Sequence, residues 1–176
     1  DKFDKSSIMS EDHLIPGSSE DILRLEKSLK VNLVGLYISN LIVGSHMAET
    51  GGGSIVNVGS TYGLVGPDQR IYAREDGETK QMKALDYPMV KSGVLGFTRP
   101  LAAYYRGKNV RVNALSPGGV FADQEKAFVE QYCERTILGR MAAPSDYSGA
   151  VAFLCSDLSA YMTGANLVID GGWTAV

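Results

Sequence analysis

Three short apolar segments, separated by longer helical segments, constrain the fold of this chain more than any other feature. The apolar segments span residues 54–60, 109–115 and 165–170. Apolar residues at helical spacing predict helices at about 20–48, 87–106, 124–134 and 145–156. Near-continuous apolar strands are typical of parallel sheets that helices cover on both faces. The sequence therefore predicts an α/β fold with a buried parallel sheet.

The size and charge of the chain limit its function. With 176 residues, it is long enough for one domain with a sizeable core. A net charge of −3 and the lack of a basic run argue against a nucleic-acid-binding surface. No continuous apolar stretch reaches the length of a membrane span, so we expect no membrane contact. Cys133 and Cys155 lack metal-ligand spacing; we expect core thiols of a reduced, cytoplasmic protein and no metal site.

Tyr87 and Lys91 are the polar pair with the clearest chemical meaning. They lie four residues apart at the start of a predicted helix, so their side chains share one helix face. Pro88 suits the first helical position, where its missing N–H would be unpaired anyway. An ammonium beside a phenol lowers the pKa of the phenol towards neutral, which general acid–base catalysis requires. From this pair alone, a solvated helix with a chance tyrosine and lysine remains an alternative.

Two further polar residues occupy unusual positions. Asn32 interrupts an apolar helical run, and a buried amide costs stability unless it is hydrogen-bonded. It therefore either satisfies a neighbouring backbone group or has a functional role. Ser60 follows an apolar strand at its carboxyl end, where open α/β sheets place their chemistry.

Of three loops between these elements, two remain ambiguous. Gly51–Gly53 follow a helix and open a strand, the reverse of a dinucleotide fingerprint, and so predict a turn. Residues 61–85 form either a loop over a pocket or a long surface insertion. Residues 117–119, Pro-Gly-Gly, form either a binding edge or a plain turn.

Taken together, five segments closely resemble the short-chain dehydrogenase/reductase family in both residues and order. They are Val-Asn-Leu-Val-Gly at 31–35, Gly-Ser-Ile-Val-Asn-Val-Gly-Ser at 53–60, Tyr-x-x-x-Lys-Ser-Gly at 87–93, Val-Arg-Val-Asn-Ala-Leu-Ser-Pro-Gly-Gly at 110–119, and Met-Thr-Gly at 162–164 with Asp-Gly-Gly at 170–172. The resemblance covers residues 30–172 and is tightest to bacterial members of surface-polysaccharide or flagellin-sugar pathways. It implies a Rossmann-like, doubly wound parallel sheet and hydride transfer between NAD or NADP and an alcohol or carbonyl substrate.

The resemblance also implies a role for each matching residue. Tyr87 would be the acid/base that exchanges a proton with the substrate oxygen, and Lys91 would lower its pKa and hold the nicotinamide ribose. Ser60 would hydrogen-bond the substrate oxygen, and Asn32 would hold a water in a proton relay. Cofactor contacts are implied for Tyr87, Lys91, Pro117, Gly118, Gly119 and Val120. Family members usually form homodimers or homotetramers, which the resemblance implies here too.

The chain departs from the family pattern in three ways. The glycine-rich cofactor loop and the first strands are missing, so we expect residues 1–176 to form a single, N-terminally incomplete domain, the C-terminal two-thirds of the family fold. Ser60 and Tyr87 are 27 residues apart, more than in most members, and the intervening segment is expected to fold away from the pocket. Ala122 replaces a hydroxyl residue that often contacts the cofactor. A truncated, non-catalytic scaffold or oligomer partner that cannot bind dinucleotide is therefore the alternative function.

Overall fold

The computed structural model of the chain describes residues 8–10, 18–72 and 81–176. Its strands are β1 (Ile8–Ser10), β2 (Gly53–Val58), β3 (Gln81–Lys83), β4 (Val110–Pro117) and β5 (Asn166–Ile169). Its α-helices are α1 (Ser19–Leu29), α2 (Gly35–Glu49), α3 (Asp86–Tyr104), α4 (Lys126–Arg135) and α5 (Ser148–Cys155). Short 3-10 helices span Thr61–Gly63, Gln69–Tyr72, Pro144–Tyr147 and Asp157–Ser159.

The main sheet contains the three predicted strands, all parallel, in the order β2-β4-β5. Ile55 pairs with Val112, and Leu115 pairs with Leu167. The predicted α/β fold with a parallel sheet is confirmed, and in its central strand the side chains of Val112 and Leu115 are almost fully buried. Leu101 of α3, and Tyr105 directly after that helix, pack on this sheet and complete one of the hydrophobic clusters.

One continuous helical run spans α1 and α2, as predicted, but a π-helical turn at Lys30–Val34 joins them. The N–H of Gly35 donates to the carbonyl of Lys30, five residues earlier, which is the hydrogen-bond pattern of a π-helix. Asn32 lies at the centre of this turn. Such turns occur frequently at functional sites, and nothing in the apolar spacing signals one.

A second, two-stranded sheet was not predicted. β1 and β3 pair antiparallel, with Met9 opposite Met82. Because these strands are three residues long and far apart in sequence, no hairpin signal connects them. The pairing places β3 immediately before the start of α3.

Two local predictions are wrong. Helix α3 begins at Asp86, so Pro88 is its third residue rather than its first, although it still lies in the turn where a missing N–H is tolerated. Cys155 is exposed and Cys133 is half-buried, so Cys155 is not a core thiol.

The helical run Ser19–Glu49 is long and apolar enough, by length and composition alone, to cross a membrane. Polar residues such as Asn32 interrupt it, so the sequence contains no continuous apolar stretch of that length there. Apolar helices of soluble proteins also meet this criterion. In the structure the run packs on α3, where the Tyr105 hydroxyl donates to the carbonyl of Asn40 at 3.2 Å.

Candidate active site

The carboxyl ends of the parallel strands meet at one edge of the sheet. Ser60 follows β2 by two residues, Gly118 follows β4, and Asp170 follows β5. The N–H of Gly59 donates to the carbonyl of Leu115, which ties the end of β2 to β4. This is the edge at which open α/β sheets bind ligands.

Ser60 is buried and its hydroxyl oxygen accepts the N–H of Tyr62 at 3.2 Å. This bond caps the 3-10 turn Thr61–Gly63 and fixes the serine side chain. It uses one lone pair of the hydroxyl oxygen, and the hydroxyl hydrogen retains its capacity to donate.

Helix α3 carries Tyr87 in its first turn and Lys91 in its second. The Lys91 ammonium donates to the carbonyl of Val58, the last residue of β2, at 3.1 Å. The same nitrogen lies 5.8 Å from the centre of the Tyr87 ring. Burial lowers the pKa of Lys91 from its ordinary value. The helix thus holds a phenol and a desolvated ammonium beside the end of β2.

Asn32 is half-buried, and its amide nitrogen donates to the carbonyl of Ser28 at 3.0 Å. The side chain therefore satisfies a neighbouring backbone group, which is the structural role anticipated from the sequence. Asn32 also lines an open groove of about 550 Å³ together with Val58 and Lys91. The structure thus brings Asn32 and Lys91 to one groove.

The turn at residues 117–119 is fixed by close backbone contacts. The N–H of Gly118 donates to the carbonyl of Ile169, and the N–H of Gly119 donates to the Tyr132 hydroxyl. A Cβ at Gly119 would lie 2.7 Å from the Tyr132 ring, so only glycine fits there without a shift.

The Gln124 side chain makes two hydrogen bonds to the backbone of the residues that follow this turn. Its amide nitrogen donates to the carbonyl of Val120, and its oxygen accepts the N–H of Ala122, both at 2.8 Å. The resemblance implies a cofactor contact at the backbone of Val120, and the carbonyl of this residue already accepts one hydrogen bond. The alanine found in place of a hydroxyl residue is likewise held through its backbone.

Tyr87 lies at the side of a buried aromatic group. The Tyr62 ring meets the Tyr87 ring edge-on at 6.4 Å and the Trp173 ring at 6.3 Å. Tyr132 stacks on Trp173 at 4.4 Å, and the Tyr72 hydroxyl donates to the Tyr62 hydroxyl at 2.9 Å. Burial raises the pKa of both Tyr62 and Tyr72 above the ordinary phenol value. These two phenols therefore stay protonated and serve as packing groups.

The expectation that residues 61–86 fold away from the pocket is wrong. Ile71 and Tyr72 are buried in the aromatic group, so the first part of the segment packs beside Tyr87. From its last part, the Lys83 ammonium lies 4.1 Å from the centre of the Tyr87 ring. The described parts of the segment therefore pack against Tyr87.

Sequence reasoning missed Lys83 as a neighbour of Tyr87. Lys83 lies four residues before Tyr87, but β3 and not a helix carries it, so helical spacing gives no signal. Its position depends on the course of the whole segment after Ser60. A short, local pattern contains no such information.

Comparisons with known proteins agree with this geometry. The model of a family described as enoyl-(acyl carrier protein) reductase matches residues 18–174. The cis-4-hydroxycyclohexanecarboxylate dehydrogenase of Sinomonas cyclohexanicum is 32% identical over 164 residues, 89% of this chain and 59% of that protein.

Two solved structures have the same fold. A short-chain dehydrogenase from Leptospira borgpetersenii with bound NAD+ is 40% identical, with a TM-score of 0.79 over 89% of this chain and 57% of that one. A gluconate 5-dehydrogenase from Burkholderia cenocepacia, in complex with NADP and tartrate, is 25% identical, with a TM-score of 0.77 over 90% of this chain and 58% of that one.

The chain thus spans less than three-fifths of the length of these three proteins. Over that span the family match, the parallel sheet and the order of the five segments all agree. The chain belongs to the short-chain dehydrogenase/reductase family.

Proposed function

We propose that this chain supplies the catalytic residues of an NAD(P)-dependent oxidoreductase that interconverts an alcohol and a carbonyl compound. The observation that carries the proposal is the position of Lys91, whose ammonium contacts the end of β2 while its own helix presents Tyr87 one turn earlier. Ser60 stands at the same strand end. In this arrangement the Tyr87 phenol is the acid/base, and the Lys91 ammonium and the Ser60 hydroxyl support it from the same edge of the sheet.

The proton steps follow from these side chains. In alcohol oxidation, the substrate hydroxyl proton passes to the oxygen of deprotonated Tyr87 while a hydride leaves the carbon that bears this hydroxyl; in carbonyl reduction both transfers reverse. The Ser60 hydroxyl donates a hydrogen bond to the substrate oxygen, where negative charge develops. Bound NAD or NADP would accept or supply the hydride.

The residues present fit the nicotinamide end of a dinucleotide. Lys91 is desolvated at the groove that it shares with Asn32, so it can donate to ribose hydroxyls. Backbone groups of Pro117, Gly118, Gly119 and Val120 lie at the end of β4, on the same edge of the sheet. Within residues 18–72 and 81–176, no glycine-rich turn leads directly from a strand into a helix, as a pyrophosphate site requires.

Asn32 would support the proton path from the π-helical turn. One hydrogen of its amide nitrogen is committed to Ser28, so its amide oxygen and the second amide hydrogen remain to hold a water near Lys91. The π-helical geometry matters here because it shifts the helix register at Asn32. In this proposal Asn32, Ser60, Tyr87 and Lys91 act as a set.

The proposal extends to the whole protein. Residues 1–176 form one incomplete domain of the family fold, and the protein acts in the cytoplasm as a homodimer or homotetramer on a small alcohol or carbonyl compound. The gluconate, cyclohexanecarboxylate and other named activities belong to the relatives. A role in a surface-polysaccharide or flagellin-sugar pathway remains a prediction from sequence.

The first test replaces Tyr87 by phenylalanine in the natural protein. With a panel of polyols and secondary alcohols and either cofactor, we expect the absorbance of reduced nicotinamide to appear with wild type. Tyr87→Phe should lower kcat by about 10²–10⁴-fold, the usual contribution of a general acid–base. A variant that retains wild-type kcat would show that Tyr87 is not the acid/base.

Intact mass and cofactor titration separate the enzyme from a non-catalytic scaffold. A mass near 18.9 kDa together with no binding of NADH or NADPH would favour the scaffold. A larger mass together with saturable quenching of Trp173 fluorescence would favour the enzyme.

A further inference from the structure

Lys83 occupies an unusual position for a lysine. Only 9% of its surface is exposed, and its ammonium nitrogen lies 4.1 Å from the centre of the Tyr87 ring. A cation within about 6 Å of a ring centroid is attracted by the negative face of the ring. Lys91 approaches the same ring at 5.8 Å. Two lysines therefore flank one phenol.

The backbone of Lys83 is held by two hydrogen bonds from one side chain. The Gln69 side chain accepts the N–H of Lys83 at 2.7 Å and donates to its carbonyl at 3.1 Å. Gln69 begins the 3-10 turn that ends at the buried Tyr72. Gln69, in the segment after Ser60, thus fixes the backbone of Lys83, whose side chain faces Tyr87.

We propose that Lys83 is a positioning residue for Tyr87: its ammonium, fixed over the ring, holds the phenol in its catalytic orientation. This inference rests on the proposed function, in which Tyr87 exchanges a proton with the substrate.

Two physical effects support this role. The attraction between the ammonium and the ring restricts rotation of the Tyr87 side chain, so the phenol oxygen stays at one place. When Tyr87 gives up its proton, negative charge develops on the phenol, and a fixed positive charge nearby stabilises that state more than the ground state. Both effects act on the chemical step rather than on cofactor binding.

The test compares three variants of the natural protein. Lys83→Met keeps the aliphatic stem and removes the charge, Lys83→Arg keeps a cation that can lie on a ring, and Lys126→Met is the control at an exposed lysine of α4. We expect Lys83→Met to lower kcat about tenfold with the KM for NADH or NADPH unchanged, and Lys83→Arg to restore kcat to within about threefold. Lys126→Met should match wild type.

The inference is overturned if Lys83→Met keeps wild-type kcat, or if Lys83→Arg is as slow as Lys83→Met at equal thermal stability. Should Lys83→Met fail to fold, Gln69→Met retains the lysine but removes the two hydrogen bonds that fix its backbone position. A reduced kcat in that variant supports the inference, and a wild-type kcat contradicts it. Tyr87→Phe distinguishes the two proposals: if it is fully active, the acid/base assignment fails; if it is inactive while Lys83→Met is not, only the role of Lys83 fails.

Discussion

Gly63 sets how closely the turn after Ser60 approaches helix α3. A Cβ at this position would lie 2.8 Å from the carbonyl oxygen of Lys91 and 2.9 Å from its carbonyl carbon. The Ser92 hydroxyl donates to the carbonyl of Gly63 at 3.2 Å and holds the turn in place. Because the obstructing atoms are backbone, they cannot move aside as the tip of a side chain would. Because residue 63 has no side chain, the turn after Ser60 can lie this close to the helix that carries Tyr87.

Gly63→Ala is expected to destabilise the protein and displace the site. Overpacking against backbone costs about 1–3 kcal/mol of unfolding free energy, and kcat should fall because Ser60 moves with the turn. Urea denaturation and kinetics measure the two effects. Gly66→Ala is the matched control, because a Cβ there has nothing within 4 Å. Equal denaturation midpoints for the two variants would contradict this account.

At the scale of elements, an ion pair joins the segment after Ser60 to helix α4. The Arg135 guanidinium donates to Asp68 at 2.6 Å, and Arg70 contacts the same carboxylate at 2.8 Å. The hydrogen bond from Arg70, followed by that from Arg135, holds the pKa of Asp68 well below its usual range. Arg70 is mostly exposed, whereas Arg135 is largely covered, so Arg135 makes the stronger structural connection.

Arg135→Gln should therefore lower the unfolding free energy in a pH-dependent way. Because the folded-state pKa of Asp68 is lowered, the pair stabilises fully above the unfolded carboxyl pKa of about 3.9 and loses this effect as the pH falls towards the folded value. We expect a deficit of roughly 1 kcal/mol between pH 5 and 7 that shrinks below about pH 4. Urea denaturation at several pH values measures it, with Lys126→Gln as control. A deficit independent of pH would contradict the assignment.

The elements that sequence predicts well are those whose signal is local. β2, β4 and β5 are predicted to within about two residues because each is a short, near-continuous apolar run bounded by turn residues. The helical run was found from its spacing. The β1–β3 pair joins distant parts of the chain, and nothing in the apolar spacing signals the π-helical turn, so neither is predicted from local patterns. The same reason explains Lys83: Tyr87, Lys91 and Ser60 lie in local patterns, while Lys83 reaches the site only through the folded segment.

At the scale of the molecule, one side of the described structure is strongly apolar. β2 is an edge of the three-stranded sheet in the part of the chain that the structure describes, and its free side faces the open groove. Val58 at the end of β2 is 53% exposed. On α2, Ile38 and Ile42 lie one turn apart and are 50% and 67% exposed. An uncovered strand edge and exposed apolar side chains on a helix each favour association with another surface.

The isolated 176-residue chain is therefore expected to self-associate. Size-exclusion chromatography with light scattering should give a mass above 18.9 kDa that rises with concentration. The double substitution Ile38→Lys and Ile42→Lys should lower that mass, because two charges on one helix turn oppose burial of the face. Leu158→Lys is the control, since Leu158 is 82% exposed but lies in a 3-10 turn away from α2. A monomer at all concentrations, or equal association of the double variant and the control, would show that this face does not drive assembly.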